Sequence, residues 1–439
     1  MVCGMQTSGI GSALNWLTLL KKTSTNSGSC RNLLVRSKAL RKFAVWFRLL
    51  ISDPCSEARM PSKPIRVWFL DHSPDIGGGE MALLQIIPAL SVEFDPLIVC
   101  PEGKFADAAR MRGIAVNPLD LTYRNLGLGN KRISKLFGLA TALKCLFELF
   151  IRLRREVAAG HPDLIYCNTL RMCLVGGVVG KVTKVPVVCH IRDSLAYPYM
   201  SRVASAAMRL VVRATATSVV ANSGYTARQL RHVPSVVIGS PIDDEFFNSR
   251  AVTRSPIHEF IMVGRFAPWK GQLEAVQAFA LAFPHGTERL AFVGGPLFGE
   301  AAYMREVRLE AVRCGVSDRV QFVGHSDDVP TLMRSARAVV HASTLPEPLG
   351  QVTLQAAALG KPLIVADAGG PDELFDDGVN AKKHRSADIE SLAEAFRWIA
   401  NNPADSAAMG EQARSVAVPF QLCVVTPLTE ALILRAVGR

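Results

Sequence analysis

LPEPLGQVTLQAAALGKPLIVADAGG occupies residues 345–370. Pro346, Pro348 and Gly350 keep its first six residues out of a helix, so Glu347 stands on a tight loop. From Gln351 the pattern becomes Val352, Leu354 and Ala356–Leu359, a short buried helix that Gly360 and Pro362 end. Leu363–Ala366 then reads as a buried parallel strand, followed by Gly369-Gly370. An acidic loop thus runs into a helix start whose N–H groups at Gly350, Gln351 and Val352 are free to hold an anion. A carboxylate beside such a start suits a ligand that carries both hydroxyls and phosphate, as a nucleotide sugar does.

Working outward, the same strand–loop–helix grammar recurs. Phe260–Val263 is a strand that ends in Gly264-Arg265-Phe266-Ala267-Pro268-Trp269-Lys270-Gly271, with a helix over Gln272–Ala282. Arg265 and Lys270 on that loop offer two cations to a diphosphate. No Gly-Lys-Ser/Thr ends the loop, so it is not a Walker A turn. Gly294-Gly295 follows the strand Leu290–Val293 close to where a nucleotide would lie. Nearer the N-terminus, strand Ile65–Leu70 leads into Asp71, His72 and the glycine run Gly77-Gly78-Gly79-Glu80, then a helix from Met81 to Leu90. Such a loop brings backbone N–H groups close to phosphate or sugar. Gly77-x-Gly79-x-x-Ala82 with Glu102 also satisfies a relaxed dinucleotide fingerprint, which keeps a nicotinamide dehydrogenase open. Strand Val185–Cys189 runs into His190-Ile191-Arg192-Asp193, residues expected at the mouth of a ligand crevice.

Glu347 and Gln355, seven residues between them, resemble the E-x7-E signature of the GT-B glycosyltransferases, specifically the large retaining family 4, here in the form E-x7-Q. The G-R-x4-K-G block at 264–271, the G-G-x-E form after the first strand and a His at position 190 are similar to the same family. The resemblance covers roughly residues 65–417. It implies an α/β GT-B fold, with two Rossmann-like domains facing across a central cleft and a C-terminal helix bracing the first. It further implies transfer of a sugar from a nucleotide diphosphate sugar to an acceptor hydroxyl, with retention. The expected setting is surface polysaccharide or glycolipid synthesis.

Within that reading Glu347 holds the donor sugar and Gln355 the ribose, an amide replacing the charge that strengthens such bonds. Arg265 and Lys270 neutralise the diphosphate and His190 orients donor and acceptor. Gly78, Gly79, Gly294, Gly295, Gly350, Gln351 and Val352 line the donor; Asp71, His72, Arg192 and Asp193 lie on the acceptor side. Fixed cations and a helix dipole can replace a divalent ion, so no metal and no cofactor are expected. A catalytically weak, nucleotide-sugar-binding relative is the alternative that Gln355 raises.

Composition bounds these readings. A chain of 439 residues, 49% hydrophobic and 20% charged, is long enough for two α/β domains. The expected division is a basic extension over 1–62, an acceptor-side domain over 63–240, a nucleotide-sugar domain over 241–416 and the C-terminal helix over 417–439. No apolar run is long enough to span a bilayer. The ten cysteines form no C-x-x-C pair and fit a reducing, cytoplasmic setting. Residues 1–52 carry eight Lys/Arg and no acid, so of the net +12 only +4 falls on the other 387 residues. Nucleic acid is therefore not an expected partner. Three readings of the extension stay open: an amphipathic helix over Arg36–Ile51 lying on an anionic membrane, a start at Met60, or a transit peptide. A long basic helix over Lys131–Val157 reads as core-facing, with membrane contact the alternative.

Overall fold

The computed structural model describes residues 63–119, 135–248, 259–296 and 299–439, with side chains from 144 in the second of these stretches. The expected extension over 1–62, with its helix, lies outside the described residues.

The first sheet has seven parallel strands: β1 (Ile65–Leu70), β2 (Phe94–Cys100), β3 (Ala115–Pro118), β4 (Leu164–Cys167), β5 (Val187–Ile191), β6 (Ser218–Ala221) and β7 (Val236–Val237). Their spatial order is β3-β2-β1-β4-β5-β6-β7. Parallel neighbours need crossovers, and helices supply them: α1 (Gly78–Ile86), α2 (Lys104–Met111), α3 (Lys135–Gly160), α4 (Leu170–Thr183), α5 (Arg202–Thr215) and α6 (Gly224–Gln229). Both faces of the sheet are thereby covered. Val67, Phe69, Ile98 and Tyr166 face one core; Trp68, Leu70, Val99 and Ile165 face the other. That alternation explains strands that are apolar throughout, such as Leu164-Ile165-Tyr166-Cys167, all buried.

The second sheet repeats the plan with β8 (Glu259–Val263), β9 (Arg289–Val293), β10 (Val320–Gly324), β11 (Ala338–His341), β12 (Leu363–Ala366) and β13 (Lys382–His384), ordered β10-β9-β8-β11-β12-β13. Its helices include α7 (Gln272–Ala282), α8 (Ala301–Arg313), α9 (Val329–Ser335), α10 (Gln351–Ala358), α11 (Gly369–Leu374), α12 (Ile389–Asn401) and α13 (Pro403–Ala417). The last helix, α14 (Leu422–Ala436), returns to the first sheet. Its Val425, Leu432, Ile433 and Ala436 join the core of Ile65, Val67 and Phe69. The outgoing and returning crossings run side by side, with the Ile242 N–H donating to the Phe420 carbonyl at 2.8 Å.

Three local differences from the sequence reading matter for function. Helix α1 starts at Gly78, inside the glycine run, and gives way at Ile87–Ala89 to a tighter turn that contains Pro88. Gly78 and Gly79 are thus its first turn rather than a loop before it. In α3 the buried stripe is Leu149, Leu153 and Val157, flanked by Leu146 and Phe150. Phe147, expected on the inner side, is 64% exposed. Strand β5 continues through Ile191, so His190 lies within the strand and its side chain turns into the sheet.

Candidate active site

Strand β11 ends at His341, and the chain then turns back through Ser343 and Glu347 before entering α10. The Glu347 loop is pinned by its own backbone, whose carbonyl accepts from the Gly370 N–H at 2.7 Å. The side chain is buried and makes an ion pair with Lys270, Nζ to Oε1 2.8 Å. His341 Nε2 lies 3.1 Å from the same oxygen, and the Ser343 hydroxyl donates to it as well. Burial by itself would raise the carboxyl's pKa. The Lys270 ammonium and His341 more than offset this and hold it well below the usual carboxylate range. Glu347 is an anion across the working pH range.

Lys270 reaches Glu347 because Gly271 adopts φ +79° and lies against strand β11, where a Cβ would strike the Ala342 carbonyl. The Lys270 ammonium also lies 4.5 Å from the Trp269 ring centroid, with the Arg265 guanidinium 5.4 Å from it. Arg265 bonds Glu300 at 2.7 Å, and its carbonyl accepts from Gln272 Nε2 at 2.9 Å. Gly294 packs on the carbonyl of Gly264, and the Gly295 carbonyl accepts from the Phe266 N–H at 3.0 Å. The Arg265–Lys270 loop and the Gly294-Gly295 turn are therefore one structure. Gly350, at φ +72°, precedes α10, which opens with Gln351 and Val352. Gln355, half-buried, lies one turn on from Gln351 on the same side of α10.

The first domain presents a different chemistry. Asn168 Nδ2 donates to Asp71 Oδ2 at 2.7 Å, Arg192 Nε donates to Asn168 Oδ1 at 2.8 Å, and Arg192 Nη1 donates to Ser240 Oγ at 2.7 Å. Burial, with the neighbouring Glu80 carboxylate, pushes Asp71 well above the usual carboxylate range. The Arg192 side chain packs against Gly79 at the start of α1, and its Nη2 is buried with no hydrogen-bond partner. Asp193 touches solvent yet is hemmed in, and that burial together with Glu80 raises its pKa. His72 Nδ1 meets the Thr169 hydroxyl at 3.0 Å, and burial with nearby Arg171 lowers its pKa to about 4. His190 is 1% exposed; its Nδ1 meets the Tyr166 hydroxyl at 2.6 Å, and burial plus Arg192 keep it neutral.

The C-terminal ends of the two sheets meet here. Ser223, after β6, donates its hydroxyl to the Pro348 carbonyl beside Glu347. Arg228 pairs with Glu373 at 3.1 Å, and Gln351 Nε2 donates to the Pro241 carbonyl at 3.3 Å. Tyr199 from the first domain meets Trp269 of the second edge-on, with ring centroids 6.1 Å apart.

Of the residues singled out in the sequence, Lys270 and Glu347 are in contact, Arg265 shares Trp269 with Lys270, and Gly78 lies against Gln351. Asp71 and Arg192 are joined through Asn168. His190 sits below this surface, in the sheet. The sequence reading missed His341, Ser343, Asn168, Ser240, Tyr199 and Trp269. The rule applied to His190, a histidine at the end of a parallel strand, would have found His341 too.

Two parallel α/β domains that bring cations, a buried carboxylate and helix starts to one junction have the architecture of the GT-B class. Residues 244–416 match the family model for glycosyl transferases group 1, and residues 76–246 the one for glycosyltransferase family 4. The chain belongs to the group 1 glycosyltransferases. The lipopolysaccharide core biosynthesis mannosyltransferase LpcC of Rhizobium leguminosarum bv. viciae is 29% identical over 200 residues, 43% of this chain and 56% of the relative. LpsB of Rhizobium meliloti (strain 1021), a mannosyltransferase of the same kind, is 30% identical over 37% of this chain and 48% of its own. The chain thus spans about half the length of these curated relatives, and 19% of an exopolysaccharide phosphotransferase from Streptomyces coelicolor. The crystal structure of Anabaena HepE with UDP and glucose superposes with a TM-score of 0.71 at 25% identity, covering 84% of this chain and 99% of that one.

Proposed function

We propose that the chain transfers a sugar from a nucleotide diphosphate sugar to an acceptor hydroxyl, with retention of configuration. The observation that carries this reading is the buried Lys270–Glu347 pair beside Arg265, at the loop that opens α10. As the sugar–phosphate bond breaks, negative charge grows on the departing diphosphate. Lys270, Arg265 and the N–H groups of Gly350, Gln351 and Val352 stabilise it there. Glu347 accepts hydrogen bonds from the donor sugar's hydroxyls, and Gln355 from the ribose. The acceptor, a saccharide or lipid-linked sugar, binds on the Asp71, His72, Arg192 and Asp193 side, in surface polysaccharide or glycolipid synthesis. With two protein cations at the diphosphate no divalent ion is required, and EDTA is expected to leave the rate unchanged. Among the described residues no helix is long and apolar enough to cross a membrane. Peripheral contact through the basic helix α3 is part of this proposal.

Crystal structures of Anabaena HepE hold UDP and glucose in one case and UDP-glucose in another, so UDP-sugars head the donor panel. The test is thermal stabilisation by UDP-, GDP- and ADP-sugars and by NAD, since a ligand of the native state raises Tm. A shift with one nucleotide sugar, lost in Arg265→Ala and Glu347→Ala, supports the reading; a shift with NAD alone overturns it. NAD is disfavoured because Glu102, the acid its ribose would need, is exposed and bonded to both Arg110 Nη atoms at 2.7 and 2.8 Å. Gln355 motivates a second reading, a weakly active binding relative. A large gain in turnover for Gln355→Glu supports that one, and unchanged turnover removes it.

A further inference from the structure

We propose that His341 and Ser343 are positioning residues for Glu347: they lock one carboxylate oxygen, so the other faces the cleft when Lys270 turns to the donor's diphosphate. The inference rests on the donor reading above, but its structural core can be tested without any donor.

Glu347 is asymmetric. Oε1 takes all three donors, Lys270 Nζ at 2.8 Å, His341 Nε2 at 3.1 Å and the Ser343 hydroxyl. Oε2 accepts none from the described residues, and it is not among the buried polar atoms sealed off without a partner, so it keeps contact with solvent. One oxygen is anchored and the other presented.

The histidine's role follows from its other nitrogen. The backbone N–H of Ala366, on β12, donates to His341 Nδ1 at 3.4 Å. With Nδ1 accepting, the ring proton sits on Nε2 and is donated to Glu347. His384, on β13, points its Nε2 at the His341 carbonyl, 3.1 Å away. Strand β12 thus sets this imidazole and β13 holds its backbone. Ser343 is buried, 1% exposed, and has one hydroxyl proton to give.

Lys270 cannot be the permanent anchor. A diphosphate arriving beside Arg265, which already engages Glu300, competes with Glu347 for the Lys270 ammonium. Once Lys270 leaves, a buried carboxylate held by nothing else would take up a proton or rotate. The hydrogen bonds from His341 and Ser343 prevent both. The titratable groups around Glu347 are Lys270, His341 and, from the first domain, Tyr199, with His384 and Asp367 behind His341.

The first arm of the test uses the free protein. Long-range 1H–15N spectra of histidine-labelled protein, with His341 assigned by its loss in His341→Gln, are expected to show the Nε2–H tautomer. That tautomer should persist in Lys270→Met. A Nδ1–H tautomer in either protein overturns the proposal, whether or not any donor is turned over. The second arm follows nucleotide release from UDP-glucose against pH. His341→Leu and Ser343→Ala are expected to lower kcat roughly 10- to 100-fold, less than the loss of a direct charge-stabilising donor. UDP affinity should hold and the acid limb of the profile should move toward neutrality. His341→Gln, which returns an N–H near the Nε2 position, should recover part of the rate. An unmoved acid limb, or an equal loss of UDP affinity, overturns the proposal. If the wild-type chain binds UDP but leaves UDP-glucose intact, it is the donor assignment that fails, and the tautomer result decides this inference alone.

Discussion

Asp71 and Glu347 are both buried carboxyls beyond the ends of parallel strands, yet their surroundings push their pKa values in opposite directions. Asp71 has a carboxylate, Glu80, and an amide, Asn168, for neighbours, and burial with Glu80 raises its pKa well above the usual range. Glu347 has Lys270 and His341, and is held ionised despite equal burial. The difference shows that the fold sets the depth of a group while its neighbours set its charge. It also separates the two walls by task. A hydrogen-bonded chain, Asp71–Asn168–Arg192–Ser240, suits the recognition of hydroxyls. A charged cluster suits a diphosphate.

The largest break in that comparison comes from removing the cation. Lys270→Met leaves Glu347 buried without its counter-charge and should cost about 3–5 kcal/mol of stability, measured by denaturant unfolding. It should also lower turnover by roughly two to three orders of magnitude, the scale for one charge-stabilising donor. Glu347→Gln comes next. It strands the Lys270 charge instead and should abolish the donor-induced rise in Tm. Asp71→Asn should do far less: it replaces a group whose burial already favours the uncharged form and should cost about 1 kcal/mol or less, the scale of one altered hydrogen bond. If Asp71→Asn destabilises as much as Lys270→Met, the assigned pKa shifts are wrong.

The smallest effect is in the pH dependence of folding. His72 has its pKa lowered to about 4 in the folded chain, against about 6.5 unfolded. Between these values the unfolded state binds the extra proton, so stability rises with pH across the window and falls as pH drops through it. His72→Gln should flatten the slope of unfolding free energy there by the equivalent of up to one proton. An unchanged slope would mean that His72 is as solvated when folded as when unfolded.

Much of this molecule is written locally. Strand–glycine–helix units, the cations on the 264–271 loop and the proline-bounded Glu347 loop are properties of a few adjacent residues. Local sterics and periodicity fix such features, and helix α7 and strand β12 fall where the sequence places them. His190 was legible as a residue but not in its depth. Strand β5 runs two residues further than its apolar pattern suggested, because Ile191 still pairs with Ala221 of β6. The inner stripe of α3 was shifted for a related reason: the sheet chooses which part of a broad apolar helix it covers.

By itself, then, the sequence determined the two-domain α/β plan, the family and the cation and carboxylate that meet at the junction, since these follow from short-range patterns. The tertiary structure alone decided the opposite pKa shifts of Asp71 and Glu347, the placing of His341 between Ala366 and Glu347 and the clasp of Ser223 on the Pro348 carbonyl. Those properties depend on which distant strands come together and how much water they exclude, and no stretch of neighbouring residues encodes that.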